Sequence, residues 1–452
     1  MPTKGNTMRF KKASALLIAL AVVGAACGSD EKAAPAETAA PAPADTTAPA
    51  DTTAPADTTA PAAGGTTLIV SSDLPLQGAS ADASADTNKA IKLILEAAGY
   101  KAGDFTIEFK EYDNSTAAKG GWDDATCAKN ASDHVANEGE VAVMGTYNSG
   151  CAKIEIPVLN EDPNGPMLMI SHANTNPGIT KAWDPGEPDK YYPTGVRNYG
   201  RVVATDDFQG AAGAQFAKEE LGVTKCVVLD DAQTYGVGVA DAFQAEAEKI
   251  GIEVVARESW DSKQPNYTAL FEGFKSLSPD CVYLGGINDN NGEQLIRDKV
   301  AVLGGNGEAD PVKLIAPDGF TGYPTVQALA EAQGMYITFA GLPASELVKA
   351  GGAGAKFVET FKSTYGADPA SAYAIYGAAA MQYILASIAA SDGTRKNITE
   401  IALSGDIEIS AEDSVIGKAF KLGPTGDVNV LDMSIQILKD NTETYLMAWP
   451  VG

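Results

Sequence analysis

The sequence predicts an α/β protein built as two doubly wound parallel-sheet lobes. Three observations lead there. From Leu68 onward, short apolar runs alternate with segments of helical period. The alternation comes in two series of similar spacing. The stretch they occupy, most of a 452-residue chain, is also too long for one core. In the first series Thr67–Ser71 (TLIVS) reads as a buried strand, and Asn88–Ala98 as a helix with Ile91, Ile94, Leu95 and Ala98 inward. Strand Thr106–Tyr112, helix Asp124–Asn137, strand Val141–Gly145, a helix after Ser149 and strand Met167–Ser171 follow. The second series runs through helix Gln209–Leu221, strand Cys226–Leu229, helix Val239–Ile250, strand Glu253–Glu258, helix Tyr267–Leu277 and strands Cys281–Gly285 and Lys313–Ala316. Strands alternating with helices mean parallel sheets.

Residues 1–27 read as an export signal. Lys4, Arg9, Lys11 and Lys12 precede the uncharged run Ala13–Ala26, which spans only about 21 Å as a helix against a bilayer core of about 30 Å. The run ends in Gly24-Ala25-Ala26-Cys27, which resembles a lipobox with Cys27 as the acylated residue. Residues 28–67 read as a stalk. Ala-Asp-Thr-Thr-Ala-Pro occurs three times in succession, with no apolar side chain larger than alanine to bury.

Charge and composition remove several function classes. With 33 Lys plus Arg against 59 Asp plus Glu, the net charge of −26 leaves no cationic footprint for nucleic acid or anionic lipid. Two histidines make an imidazole-rich metal centre or triad improbable, and no metal site or cofactor is expected. His134 lies in a helical pattern and reads as a surface residue; His172 reads as a loop-ordering residue. Trp122, Trp183, Trp260 and Trp449 show no stripe or cage spacing and read as packing. Gly236-x-Gly238 fails as a dinucleotide fingerprint at its third glycine, and no hydrolase, zincin or P-loop motif occurs. No catalytic residue is assigned, and the chain reads as a non-enzyme.

In open α/β sheets ligands bind beyond the carboxyl ends of strands, where strand order reverses. The loops there are Thr146-Tyr147-Asn148-Ser149-Gly150-Cys151, His172-Ala173-Asn174-Thr175-Asn176-Pro177 and Asp230-Asp231-Ala232-Gln233-Thr234-Tyr235-Gly236. Ser149 and Gly150 would place a hydroxyl and free N–H groups at a helix start, a site for a carboxylate. Of the five cysteines, Cys27 is set aside for lipid. Four remain, with three possible connectivities. Cys127 and Cys151 flank one strand of the first lobe, and Cys226 and Cys281 each begin a strand of the second; strand adjacency favours Cys127–Cys151 and Cys226–Cys281.

The strings VAVMGTYNSGCAKIEIPVLNEDPNGPMLMISHANTNPGIT (141–180), VVLDDAQTYGVGVADAFQAEAEKIGIEVV (227–255), PDCVYLGG (279–286) and YAIYGAAAMQYILASI (373–388) resemble the leucine/isoleucine/valine-binding-protein family, the solute receptors of ABC importers. The resemblance implies a type I periplasmic-binding fold with three hinge crossings, placed near Val196–Arg201, Phe339–Pro343 and Val428–Leu431. Lobe one would comprise residues 68–198 and 342–430, and lobe two 199–341 and 431–452, with strand Met433–Lys439 returning to the latter. It implies that Ser149 and Gly150 hold a ligand carboxylate. Asn174, through its carbonyl, and Thr175 would meet the ammonium, Tyr235 would close from the second lobe, and Asp318 would pair with the ammonium. Asn148, Gln77 and Asn288 are further candidates. The first loop, Leu74–Ala79, lacks the aromatic common in the family, and Asp318 replaces the usual glutamate. The ligand set therefore widens from aliphatic amino acids to amides and short carboxylates. The implied partners are an amino-acid-like ligand and a membrane permease with its ATPases, for a monomer tethered outside the cytoplasmic membrane by lipid alone. The alternative is a ligand-sensing receptor that does not transport; the lack of a membrane helix or signalling domain after the last strand favours transport.

Overall fold

The computed structural model describes residues 65–450. The expected signal, Cys27 and nearly all of the stalk lie outside the described residues, which belong to one compact unit beginning at Ala62. Its first sheet contains β1 (Thr67–Leu74), β2 (Phe105–Asp113), β3 (Glu140–Gly145), β4 (Leu168–Ser171) and β5 (Tyr199–Arg201), parallel in the order β2-β1-β3-β4-β5. The second contains β6 (Lys225–Asp230), β7 (Glu253–Ser259), β8 (Cys281–Gly285), β9 (Lys313–Ala316), β10 (Tyr336–Phe339), β11 (Ser434–Lys439) and β12 (Thr442–Ala448), in the order β7-β6-β8-β9-β10-β11-β12. Its first five strands are parallel, and β11 and β12 close it as antiparallel partners. Both sheets thus reverse order at their second strand, the doubly wound arrangement. Central strands β3 and β8 are buried at every position, which is why they read as unbroken apolar runs.

Helices α1 (Ala81–Ala97), α2 (Asp124–Ala136) and α3 (Ser149–Asn160) accompany the first sheet; α4 (Asp206–Glu219), α5 (Thr234–Lys249), α6 (Thr268–Lys275) and α7 (Gly292–Leu303) accompany the second. After β10 come α8 (Ala344–Ala350), α9 (Gly352–Tyr365), α10 (Tyr373–Ala389) and α11 (Arg395–Ala402). Helix α10 is buried along nearly its whole circumference, as its all-round apolar sequence requires, and it packs on α1 and on the first sheet. No helix among the described residues is long and apolar enough to cross a membrane.

Three crossings join the lobes. Val202–Ala204 from the first, Ala340 and Gly341 from the second, and Val430 and Asp432 from the third line one small cavity. The first crossing falls just after the stretch Val196–Arg201, because Tyr199–Arg201 still pairs with β4 as the edge of the first sheet. Helix α1 begins seven residues earlier than its apolar spacing indicates, since its first two turns (ADASADT) are small and polar. Both expected cysteine pairs stand at bonding distance, with Cα–Cα separations of 5.6 Å for Cys127–Cys151 and 4.4 Å for Cys226–Cys281. The second pair lies in register across β6 and β8.

His134 is not on the surface. The face of α2 that carries it meets the sheet between the end of β1 and the start of β3. The ring is fully buried, with Nδ1 2.6 Å from Glu140 and Nε2 3.1 Å from Asp73.

Candidate functional site

The carboxyl ends of β1, β3, β6 and β8 converge where each sheet reverses order, and the loops that leave them bound a cleft between the lobes. The first lobe supplies Tyr147, Asn148, Ser149, Ala173 and Tyr373, and the second supplies Tyr235, Ile287, Asp318 and Gly319. In this closed form the free space between the walls is about 20 Å³, room for little more than one water.

On the first-lobe wall, Ser149 opens α3, with Asn148 extended at its N-cap. The helix's first backbone bond is Ala152 N–H to the Asn148 carbonyl, 3.2 Å, and no acidic residue stands in its first turn. The positive helix end therefore faces the cleft without a counter-charge, a setting for an anion. Ser149 Oγ accepts from the Asn176 N–H at 3.4 Å, and the buried Asn148 Oδ1 has no partner. Gly150 is required sterically: a Cβ there would lie 2.6 Å from the indole of Trp122.

On the opposite wall, Asp318 is buried and accepts hydrogen bonds from the hydroxyls of Tyr235 in the second lobe and Tyr373 in the first. Its own N–H donates to Gln209 Oε1 at 3.0 Å, and Gln209 Nε2 donates to Asp206 at 3.0 Å. Burial raises the Asp318 carboxyl above its ordinary range, against the lowering effect of the two tyrosine hydrogen bonds. Asp206 is pushed well up by burial and by the charge of Asp318, and its Oδ2 has no partner. Among the described residues, no lysine or arginine lines this space.

Asn148, Ser149, Tyr235 and Asp318 stand together around this space, with Gly150 next to Ser149. Asn174 does not present its carbonyl to the cleft: that oxygen accepts from buried Arg201 at 2.9 Å, and the side chain bridges the Tyr147 carbonyl and the Tyr199 hydroxyl. Arg201 also reaches the Asn176 carbonyl at 2.9 Å, so it holds this loop in place. Thr175 keeps a buried, unpartnered hydroxyl, and its carbonyl caps Asp206 N–H at 2.9 Å. Asn288 is buried with Oδ1 unpartnered, next to Ile287 rather than in the cleft wall. Gln77 points away: its side chain is exposed and donates to Asp113 at 2.7 Å, because the loop after β1 folds back on Ser115.

Several residues of the site were not singled out from the sequence as binding residues. Tyr147, Tyr373 and His172 form an edge-to-face cluster beside Asp318. Burial without any hydrogen-bond partner pushes His172 down to about 3, so the ring is neutral. Ser80, at the start of α1, donates to Asp289 across the cleft mouth through Oγ (2.9 Å) and N–H (3.2 Å), and the Tyr323 hydroxyl donates to the same carboxylate at 2.7 Å. Asn176 Nδ2 reaches the Thr234 carbonyl at 3.1 Å. These contacts join the two lobes, so the conformation is closed. Asp231 accepts from Asn290 (2.7 Å) and from the N–H of Ile287 (3.1 Å), and fixes the loop after β8; burial raises it to about 6.

Comparison with known proteins places this arrangement. The family model described as periplasmic binding protein matches residues 74–438. An amino acid binding protein of Pseudomonas aeruginosa is 26% identical over 152 residues, 34% of this chain and 37% of that protein. Leu/Ile/Val-binding protein homolog 3 of Brucella melitensis is 28% identical over 223 residues, 48% of this chain and 54% of that protein. The chain thus matches about half or less of the length of these relatives. Among solved structures, leucine binding protein LivK of Thermotoga maritima superposes with a TM-score of 0.70 at 22% identity, covering 84% of this chain and 98% of that one. A solute binding protein of an ABC transporter from Rhodopseudomonas palustris, in complex with p-hydroxybenzoic acid, superposes with a TM-score of 0.70 at 16% identity, covering 85% and 97%. At these identities the structural likeness speaks for the fold. The two-sheet topology, the interlobe cleft and the match over residues 74–438 agree: the chain belongs to the periplasmic binding protein family.

Proposed function

We propose that the protein is an extracytoplasmic solute receptor that closes on a small amino-acid-like ligand, first among them an aliphatic amino acid, and presents it to an ABC permease. One observation carries this reading. The uncapped start of α3 at Ser149 and the buried carboxyl of Asp318 border one space that, among the described residues, no cationic side chain lines. A zwitterion supplies both missing charges, its carboxylate to the helix end and its ammonium to Asp318. The names of the relatives, which bind amino acids, support the same ligand class. Within this reading Cys27 carries the lipid that holds the receptor at the outer face of the cytoplasmic membrane, residues 28–67 are its tether, and the receptor is a monomer without catalytic activity.

A second ligand class has its own support. Asp318 is already served by two tyrosine hydroxyls, and burial favours its neutral form. A neutral Asp318 suits a carboxylate without an ammonium, the class to which the ligand of the Rhodopseudomonas palustris neighbour belongs.

Thermal unfolding of residues 66–452 against amino acids, amides and short carboxylates separates the two. A ligand at a hundredfold excess over its Kd stabilises the folded state by about 2.7 kcal/mol. A shift with an aliphatic amino acid that disappears in Asp318→Ala and Ser149→Ala supports the zwitterion. A shift confined to ligands without an ammonium, retained in Asp318→Ala, moves the assignment to carboxylates. No shift with any member of the panel argues against solute capture.

A further inference from the structure

Arg201 is the last residue of β5, directly before the first crossing, and its side chain is fully buried. Nη1 donates to the Asn174 and Asn176 carbonyls, each at 2.9 Å, Nη2 to the Thr180 hydroxyl at 2.5 Å, and Nε to the Asp427 carboxylate at 2.9 Å. Asp427 lies just before the third crossing, and it accepts from the Thr180 hydroxyl as well, at 2.8 Å. The Arg201 N–H donates to the Gly426 carbonyl at 2.9 Å, which ties these two approaches to the hinge side by side. One buried cation thus joins the loop after β4 to the first-lobe ends of two crossings. That loop is also the one that meets the second lobe. Between the two carbonyls that Arg201 takes, Thr175 offers its own to the Asp206 N–H at the start of α4, at 2.9 Å. Asn176 Nδ2 donates to the Thr234 carbonyl at the start of α5, at 3.1 Å. Asp206 follows Arg201 in the chain, with the crossing Val202–Ala204 between them. The Thr175–Asp206 bond therefore spans that crossing, from a carbonyl whose two neighbours Arg201 holds.

We infer that Arg201 is a positioning residue for ligand capture: it makes the loop Asn174–Asn176 and the first-lobe ends of two hinge strands one rigid piece, on which the second lobe docks when the cleft shuts. This rests on the cleft as the ligand site and adds what keeps that cleft shut. Hinge closure is a change of dihedral angles in a few crossing residues, and it lasts only while the docking groups find their partners. A lysine cannot stand in for the arginine. Its ammonium is a point charge on a flexible stem, whereas the planar guanidinium serves all four acceptors at once. Lost positioning shows in how long the lobes stay closed, so the dissociation rate rises. Entry into the open form does not use these contacts, so the association rate stays.

The test measures association and dissociation rates by stopped-flow fluorescence for leucine and, in parallel, for benzoate, so that an error about the ammonium leaves one series intact. Arg201→Lys raises the dissociation rate by about tenfold, the scale of one hydrogen bond to a charged group. The association rate changes by less than about twofold. Asn176→Ala, which removes the bond to Thr234, also speeds dissociation. The double variant dissociates no faster than the faster single one, because both changes act through one loop. Asp427→Asn leaves the guanidinium in place; it shifts the dissociation rate in the same direction and takes the place of Arg201→Lys if that variant does not fold. Dissociation unchanged in both Arg201→Lys and Asp427→Asn, with a lowered unfolding midpoint, makes Arg201 structural only and overturns the inference. Slowed association at an unchanged dissociation rate, or effects that multiply in the double variant, overturns it as well. A wild type that binds neither leucine nor benzoate overturns the receptor reading, and this inference with it.

Discussion

His134 has both ring nitrogens engaged, one by Asp73 and one by Glu140, at a fully buried site. Burial alone would push the imidazole down. Hydrogen bonds to Asp73 and Glu140, and their charges, outweigh burial and raise it to about 9, against about 6.5 in an unfolded chain. A value raised by folding means that the folded state holds the proton more tightly. The stabilisation is therefore complete below about pH 6.5 and is lost as pH rises through about 9. Urea unfolding should show stability falling between pH 7 and 9.5, by up to about 3 kcal/mol. His134→Gln should lower stability at pH 6 and flatten that slope. A flat wild-type profile over this window would count against a charged imidazole. The helical pattern put this residue on the surface, because its partners Asp73 and Glu140 come from two strands distant in the chain. Ser149 stood out in the loop after β3, and Asp318 through the family resemblance; the tie between the Asn174 carbonyl and Arg201 was not legible, because Arg201 lies 27 residues on, in the stretch expected as a hinge crossing.

At the scale of the element, α3 shows what a helix start contributes and what holds it. Its first turn carries Ser149, Gly150 and Cys151, and Cys151 pairs with Cys127 on α2 at a sequence separation of 24. Closing a loop of that size removes about 3 kcal/mol of unfolded-state freedom. Cys127→Ser with Cys151→Ser should lower unfolding stability by about that amount, read by urea titration, and should weaken ligand binding by loosening the turn that carries Ser149. Unchanged affinity in the presence of lowered stability would confine the bridge to a structural role. Strands β3 and β8 and the helices after them were legible as apolar runs and 3.6-residue periods. The start of α1 was not, although it places Ser80 at the cleft: small polar residues there form a helix because tertiary packing overrides weak propensity.

For the whole molecule, the closed form is held by contacts that touch no ligand atom. Ser80 and Tyr323 meet on Asp289, one from each side of the mouth. Such a latch sets the fraction of closed receptor, and that fraction multiplies the affinity of every ligand alike. Asp289→Asn should weaken all ligands by one shared factor, leaving their ranking unchanged; small-angle scattering should show a larger radius of gyration for the variant without ligand. A change in ranking would place Asp289 in the ligand's own environment. Two-lobe architecture was readable from the repeated strand–helix series. The latch was not, since it joins a helix start to a turn 209 residues later.

Helices α9 to α11 have a consequence in time. They complete the first lobe, yet they are made after the five parallel strands of the second: the Tyr365 hydroxyl bonds the Lys89 carbonyl across 276 positions, and Arg395 bonds the Glu140 carbonyl across 255. As the chain emerges from its amino end, the early sheet must wait with one face bare while its neighbour assembles beside it. The half that is begun first is therefore closed only after the parallel strands of its neighbour exist, and it remains open to chaperones and proteases until α10 arrives.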